Sequence, residues 1–277
     1  MAFRGKTIAV VVPAHNEERL IGRVITGMPP YVDRVVVVDD GSTDETAARV
    51  MGLDHGRVLL VRHTARRGVG AAIRTGYRKA LELGAEVAVV MPGDAQADPE
   101  DLPGLLSPVI DNRFDYSKGN RMANPRLSHA MPRVRRYGNR LLSLLTRLAV
   151  GHPGIRDAQC GYTAISRDAL RELVDLPFCD GYGYPNEILS ALALRRRGIV
   201  EVPVRAVYAD ETSGIWIPSY AVKMSFILAR CAARRVRRCR WSTRHARSGI
   251  LPPWPAAAAS AKGIPGDNTL PVHRQNP

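Results

Sequence analysis

Val35 to Ala47 reads VVVVDDGSTDETA. Four consecutive valines suit a strand buried on both faces, since β-branched side chains pack well on a pleated surface and no polar side chain is turned to water. The run ends at two acids, a glycine and short hydroxyl residues, and Glu45 to Met51 then reads as a helix. The same order recurs outward from this point. Thr7 to Val12 leads into Pro13-Ala14-His15-Asn16-Glu17 and a helical pattern reaching Met28, closed by Pro29-Pro30. Val58 to Val61 precedes a helix over Ala71 to Leu83, and Val87 to Met91 precedes a polar tip and a helix near Pro99 to Ile110. Strands alternating with helices at this spacing predict an α/β fold, its mostly parallel central sheet flanked by helices. Ligands in such sheets bind beyond the carboxyl ends of the strands. Three polar tips, at Pro13 to Glu17, Asp39 to Ser42 and Gly93 to Gln96, are therefore expected on one rim.

The second half is less regular. A basic amphipathic helix is expected over Ser128 to Val150, strands at Tyr162 to Ser166 and Ile199 to Val207, and helices at Pro185 to Arg197 and Tyr220 to Arg240. The domain reading is one α/β domain over 1–217, a basic amphipathic helical segment over 218–247, and a disordered Pro/Ala-rich tail over 248–277. No internal repeat of fixed period is present.

The formal charge of +14 is unevenly spread. Nine Lys/Arg against Asp115 alone lie between Arg113 and Arg147, and nine more with no acid between Lys223 and Arg247, which points to an anionic partner. Nucleic acid is not expected, because 6% aromatic residues and no stacking motif accompany the charge. Pro13 and the polar residues after it break the first apolar run too early for a signal peptide. No stretch approaches the roughly 18 apolar residues a membrane span needs. The chain is thus expected to be cytoplasmic, or peripheral at the inner face of the cell membrane. Cys160, Cys179, Cys231 and Cys239 form no C-x-x-C pair and read as reduced thiols.

Asp94 and Gln96 offer two hard oxygen ligands two residues apart, suited to Mg²⁺ or Mn²⁺ completing its shell with water and diphosphate. A capping role in a strand-to-helix turn accounts for Asp94 as well, until the other tips are considered. A dinucleotide oxidoreductase would carry G-x-G-x-x-G directly after the first strand, and Pro13-Ala14-His15-Asn16 is not that.

IAVVVPAHNEERLIGRVI (8–25), VVVVDDGSTDETA (35–47), RRGVGAAIRTGYRKA (66–80) and VVMPGDAQADPEDL (89–102), in this order, resemble family 2 glycosyltransferases. Within them the likeness is to dolichyl- and polyprenyl-phosphate sugar synthases, over roughly residues 6 to 215. The resemblance implies a nucleotide-sugar-binding, GT-A type, Rossmann-like fold. It implies that Pro13, Ala14 and Glu17 border the nucleotide, that Asp40 hydrogen-bonds the base, and that Gly68 and Gly70 let the chain pass close to it. Arg67 reads as a phosphate contact or as a solvated side chain, and Asp39 as a further contact or as a helix cap. Asp94 and Gln96 would hold the metal. Lys118-Gly119-Asn120-Arg121 matches the family's segment after its fifth strand, while Arg135 and Asn139 fall where an Arg and a Ser line the acceptor phosphate. Asp94, Arg121 and Arg135 are accordingly the catalytic candidates, and Asp157 would orient an active-site arginine. Glu187 matches a family acid, although its own surroundings in sequence read as a surface glutamate.

Two departures stand out. Pro92 replaces an acid common in relatives, and Tyr208 to Gly214 lacks the Arg and Lys that the synthases often carry there. The expected activity is metal-dependent, inverting transfer of a sugar from a nucleotide-sugar donor to a polyprenyl phosphate. A soluble transferase acting on a hydroxyl of a small molecule or secondary metabolite is the alternative.

Overall fold

The computed structural model describes residues 3–53, 56–123, 131, 133–205, 217–244 and 268–269. In chain order the described elements are β1 (Ile8–Ala14), α1 (Ile21–Thr26), β2 (Arg34–Asp39), α2 (Thr46–Met51), β3 (Val58–Arg62), α3 (Val69–Glu82) and β4 (Val87–Val90). Next come α4 (Leu102–Ile110), entered through a short 3₁₀ turn, then β5 (Tyr116–Asn120), α5 (Arg133–Val150), β6 (Thr163–Ser166) and α6 (Arg167–Leu173). The chain continues with α7 (Tyr184–Leu194), β7 (Ile199–Pro203), α8 (Ile217–Arg244) and a two-residue β8 (Asn268–Thr269).

One sheet runs β7-β5-β6-β4-β1-β2-β3-β8. β1 pairs in parallel with β2 and β4, β2 with β3, and β5 with β7, whereas β6 is antiparallel to both β4 and β5. β6 therefore reverses once and leaves β5 and β7 running with β1. The carboxyl ends of β1, β2, β3, β4, β5 and β7 share one rim, and β6 begins there.

Period-2 alternation builds a core on each face of the sheet. Ala9, Val11, Val36, Val38 and Val90 point to one side, where Ala72, Ile73 and Tyr77 of α3 and Ile188 and Leu189 of α7 cover them. Val10, Val12, Val35, Val37 and Val89 point to the other, under Ile21 and Ile25 of α1, Val50 of α2 and Leu102, Leu105 and Leu106 of α4. Every residue of β1 is buried, as its unbroken apolar run requires. A third, small cluster joins Ala149 of α5 to Met224, Ile227 and Cys231 of α8.

The first four strands stand close to their expected bounds. The helical pattern expected from Glu17 to Met28 forms α1 only from Ile21, because Glu17 and Glu18 lace to the loop after β2 and the start of α2: Glu17 N donates to Thr46 Oγ1 at 2.8 Å and Glu18 N to Asp44 Oδ2 at 3.1 Å. α6 was not foreseen; it follows β6 without a break, and Ser166 is its N-cap, accepting from Ala169 N at 3.4 Å. Of the expected tail, only β8 is described, paired antiparallel with Val61 and Arg62.

Candidate active site

β1 ties the rim together. Gly93 N donates to Pro13 O at 3.2 Å on one side, and Asp40 N donates to Ala14 O at 2.8 Å on the other. Pro13 and Ala14 are thus the backbone between the Asp40 tip and the Asp94 tip, where the strand order reverses direction about β1. The three polar tips predicted to share an edge do so.

Asp40 is buried, and both its oxygens are engaged. Oδ1 accepts from Arg67 N at 2.9 Å and lies 2.7 Å from His63 Nδ1, while Oδ2 accepts from Gly68 N at 2.7 Å. Burial alone would raise its pKa; the hydrogen bonds from His63, Arg67 and Gly68 outweigh it and hold the carboxyl below its usual value. The carboxylate therefore grips the loop before α3, a role not foreseen in its assignment to the base. Asp39, wholly buried, accepts from Ser42 N at 2.8 Å and Arg62 Nε at 3.0 Å, so it ties its own loop to β3 and does not cap α2, whose N-cap is Glu45. His63 escaped the sequence reading, although a histidine at the end of a buried strand on the binding rim was a usable signal. Its Nε2 lies 2.9 Å from Thr75 Oγ1.

The glycines that open α3 have a reason within the fold itself. A Cβ at Gly68, where φ is +107°, would stand 2.4 Å from Asp180 O, and one at Gly70 would stand 2.0 Å from Cys179 O. The close approach they permit is that of the chain's own 179–180 backbone.

The Asp94 tip turns sharply. Ala95 sits at φ +55°, a left-handed conformation that costs a non-glycine residue roughly 1 kcal/mol or more, and Asp94 Oδ1 accepts from Gln96 N at 3.0 Å. Burial raises the Asp94 pKa, opposed by the Gln96 backbone bond and by the charges of Arg135 and Arg121. Both guanidiniums, carried by separate elements, therefore act on this carboxylate. Among the described residues no cluster of three or more His, Cys, Asp or Glu side chains is arranged to hold an ion alone. Asp94 and the Gln96 carbonyl still suit a hard divalent cation whose other ligands come from diphosphate and water.

Arg121 follows β5 and is clamped to Asp157: Nε to Oδ2 is 2.8 Å, Nη2 to Oδ1 2.9 Å, and its backbone N to Oδ2 3.1 Å. The expectation that Asp157 orients an arginine fits this geometry. Beneath the pair lie polar groups for which sequence alone offered no individual role. Glu201 of β7 accepts from Arg156 N, Asp157 N and Asn120 Nδ2, and the fully buried Lys118 donates to the Cys160 carbonyl. Burial lowers the Lys118 pKa and raises that of Glu201. Tyr220, at the start of α8, donates to Gln159 Oε1 at 2.8 Å; burial pushes its hydroxyl up to about 12 against the Arg121 charge. Tyr184 also lies near Asp94, which adds to the burial that raises its pKa.

Arg135 is exposed on the first turn of α5, and Asn139 is half-buried one turn later, its Nδ2 3.9 Å from Met131 Sδ. Glu17 is half-buried beside the β2 loop. Glu187 is a correction: it is fully buried, not a surface side chain. Residues 208–214 lie outside the described residues. The four cysteines are all free.

The family profile described as "Glycosyl transferase family 2" matches residues 9–174. This chain belongs to glycosyl transferase family 2. It is a glycosyltransferase of α/β, GT-A type fold. Among curated relatives it is 32% identical to the UDP-N-acetylglucosamine--dolichyl-phosphate N-acetylglucosaminyltransferase of Methanococcus voltae, over 74% of this chain and 87% of that one. It is 33% identical to the polyprenol monophosphomannose synthase of Mycolicibacterium smegmatis, over 70% of this chain and 75% of that one. Among solved structures, glucosyl-3-phosphoglycerate synthase of Mycobacterium tuberculosis in complex with UDP superposes with a TM-score of 0.64 at 25% identity, covering 83% of this chain and 81% of that one. Complexes of the same enzyme contain Mn²⁺, UDP-glucose and phosphoglyceric acid.

Proposed function

We propose that this glycosyltransferase moves a sugar from a nucleoside diphosphate donor to a polyprenyl phosphate, with inversion at the anomeric carbon. The observation carrying the reading is the shared rim, where the turned Asp94–Gln96 tip is tied through Gly93 to Pro13 and Arg121 is clamped to Asp157 at the end of β5: an acid for a donor-side cation and a guanidinium for an acceptor phosphate. The names of the curated relatives, which act on dolichyl phosphate or make polyprenol monophosphomannose, support this acceptor class. The UDP and UDP-glucose bound by the solved neighbour support the donor class.

In this reading Arg121, held rigid by Asp157, and Arg135 present guanidinium forks to the acceptor phosphate, whose geometry they match. A phosphate oxygen attacks the anomeric carbon in line. The new carbon–oxygen bond forms as the bond to the diphosphate breaks, and its electron pair leaves with the nucleoside diphosphate. The attacking oxygen is already anionic, the phosphate's second pKa being about 6, so no general base is required. Asp94 and Gln96 would hold Mg²⁺ or Mn²⁺, which would neutralise charge on the departing diphosphate.

A second reading draws on the phosphoglyceric acid bound by the solved neighbour: a small phosphorylated acceptor at the same arginines. A screen of UDP- and GDP-sugars with either metal, offering a short polyprenyl phosphate or phosphoglyceric acid, separates the two. We expect transfer to the polyprenyl phosphate with inverted configuration by NMR, and complete loss of turnover in Asp94→Ala. Full activity of that variant, or retained configuration, would refute the proposal.

A further inference from the structure

Glu187 stands on the first turn of α7 with no solvent exposure. Its Oε1 lies 2.8 Å from Arg234 Nη1 and 2.8 Å from Arg230 Nη2, both on α8. Its Oε2 accepts from Cys179 N at 2.6 Å. A buried carboxylate is costly without compensating charge, and the two guanidiniums supply it. The bond to Cys179 N is thereby charge-assisted.

The contacts continue toward the rim. One residue on, Asp180 O accepts from Gly70 N at 2.6 Å and Ala71 N at 3.3 Å, two of the donors that a helix N-terminus leaves free. The Asp180 carboxylate pairs with Arg74 Nη2 at 3.1 Å, and Arg74 also stacks over Phe178, 4.5 Å from the ring centre. On its far side the loop before α3 is held by Asp40 through Arg67 N and Gly68 N. The packing leaves little slack, since a Cβ at Gly183 would stand 2.0 Å from Ile227 of α8.

We infer that Glu187 is a positioning residue for the donor. With Arg230 and Arg234 it fixes the 179–180 backbone against α3, and so fixes the Arg67–Gly68 backbone that Asp40 grips beside Pro13 and Ala14. Helix α8 then sets the shape of the donor side of the rim through one buried carboxylate. This inference rests on the donor reading proposed above.

The test is calorimetric titration of the full-length protein with UDP and GDP, together with steady-state kinetics, for Glu187→Gln, Arg234→Met and Arg230→Met. Glu187→Gln keeps an oxygen for the Cys179 N–H and removes the charge. The expected result is a roughly tenfold weaker nucleotide Kd and a matching rise in donor KM, within the usual range of site-to-site coupling, with acceptor KM unchanged. Variants that melt earlier yet bind nucleotide like the native protein would make Glu187 a purely structural residue and overturn the inference. If Glu187→Gln does not fold, Arg230→Met decides, because its side chain is half-exposed: weaker nucleotide binding supports the inference and unchanged binding ends it. A native protein that binds neither nucleotide would instead remove the donor reading, and this inference with it.

Discussion

Asp157 has no solvent contact, and burial by itself would push its carboxyl pKa upward. The Arg121 charge and hydrogen bonds outweigh that effect and leave the pKa below its ordinary value. A carboxyl depressed in the folded state stabilises fully above its unfolded pKa of about 3.9, and that contribution is lost as pH falls through the folded value. Removing one partner of such a pair leaves the other charge uncompensated, which costs about 3 kcal/mol or more. Asp157→Asn should therefore lower stability by that amount in urea unfolding at pH 7, and the gap to the native protein should close in strong acid. A pH-independent gap would mean that the charge of Asp157 is not what stabilises. The residue-level assignments legible in the sequence were those at strand ends, where a motif fixes which side chain follows which strand. Lys118 and Glu201 had no legible role, because what sets them apart is withdrawal from water, which depends on the strands and helices that cover them, whereas His63, at the end of a strand on the rim, carried a local signal.

At the scale of elements, α8 decides the most. Its sequence allowed a helix lying in a lipid surface or one packed on the body of the protein, since an apolar start and a basic end suit either. The structure buries Met224, Ile227 and Cys231 against α5 and α7 and leaves Val222 and Phe226 exposed. Adjacent residues of one helix thus have opposite surroundings. Ile227→Ala, which opens a cavity beside Gly183, should cost about 2 kcal/mol or more. Phe226→Ala, 75% exposed, should change stability by no more than about 0.5 kcal/mol. Thermal melts of both variants check this, and equal losses would contradict the docking of α8. The same comparison shows why Glu187 was misread: its burial comes from α8, some forty positions later in the chain.

The whole molecule presents an apolar stripe that only the docked arrangement reveals. Tyr137, Leu141, Leu144, Leu145 and Leu148 recur at helical spacing on α5 and are all exposed, 63% for Leu148. Arg140 and Arg147 stand on the same helix, and α8 adds further arginines beside it. No helix among the described residues is long and apolar enough to cross a membrane. We propose that this surface rests on an anionic leaflet, each basic residue near the lipid contributing about 1 kcal/mol, and brings Arg121 and Arg135 near a lipid phosphate. Leu141→Asp with Leu148→Asp should abolish co-sedimentation with phosphatidylglycerol vesicles while UDP binding is retained. Undiminished sedimentation would show that another face makes the contact.

By itself the sequence determined the parallel half of the sheet, the rim on which its polar tips meet, and the family. The first two follow from local pattern, namely β-branched runs, their period and the residues that end them, and the family from the resemblance of four motifs in order; none depends on distant contacts. The tertiary structure alone decided that Asp40 holds a loop, that Gly68 and Gly70 make room for backbone, that Glu187 is buried, and which face of α5 and α8 meets solvent. Each of these depends on segments far apart in the chain coming within a few ångströms, and close packing, which no local pattern encodes, selects the side chains that lose their water.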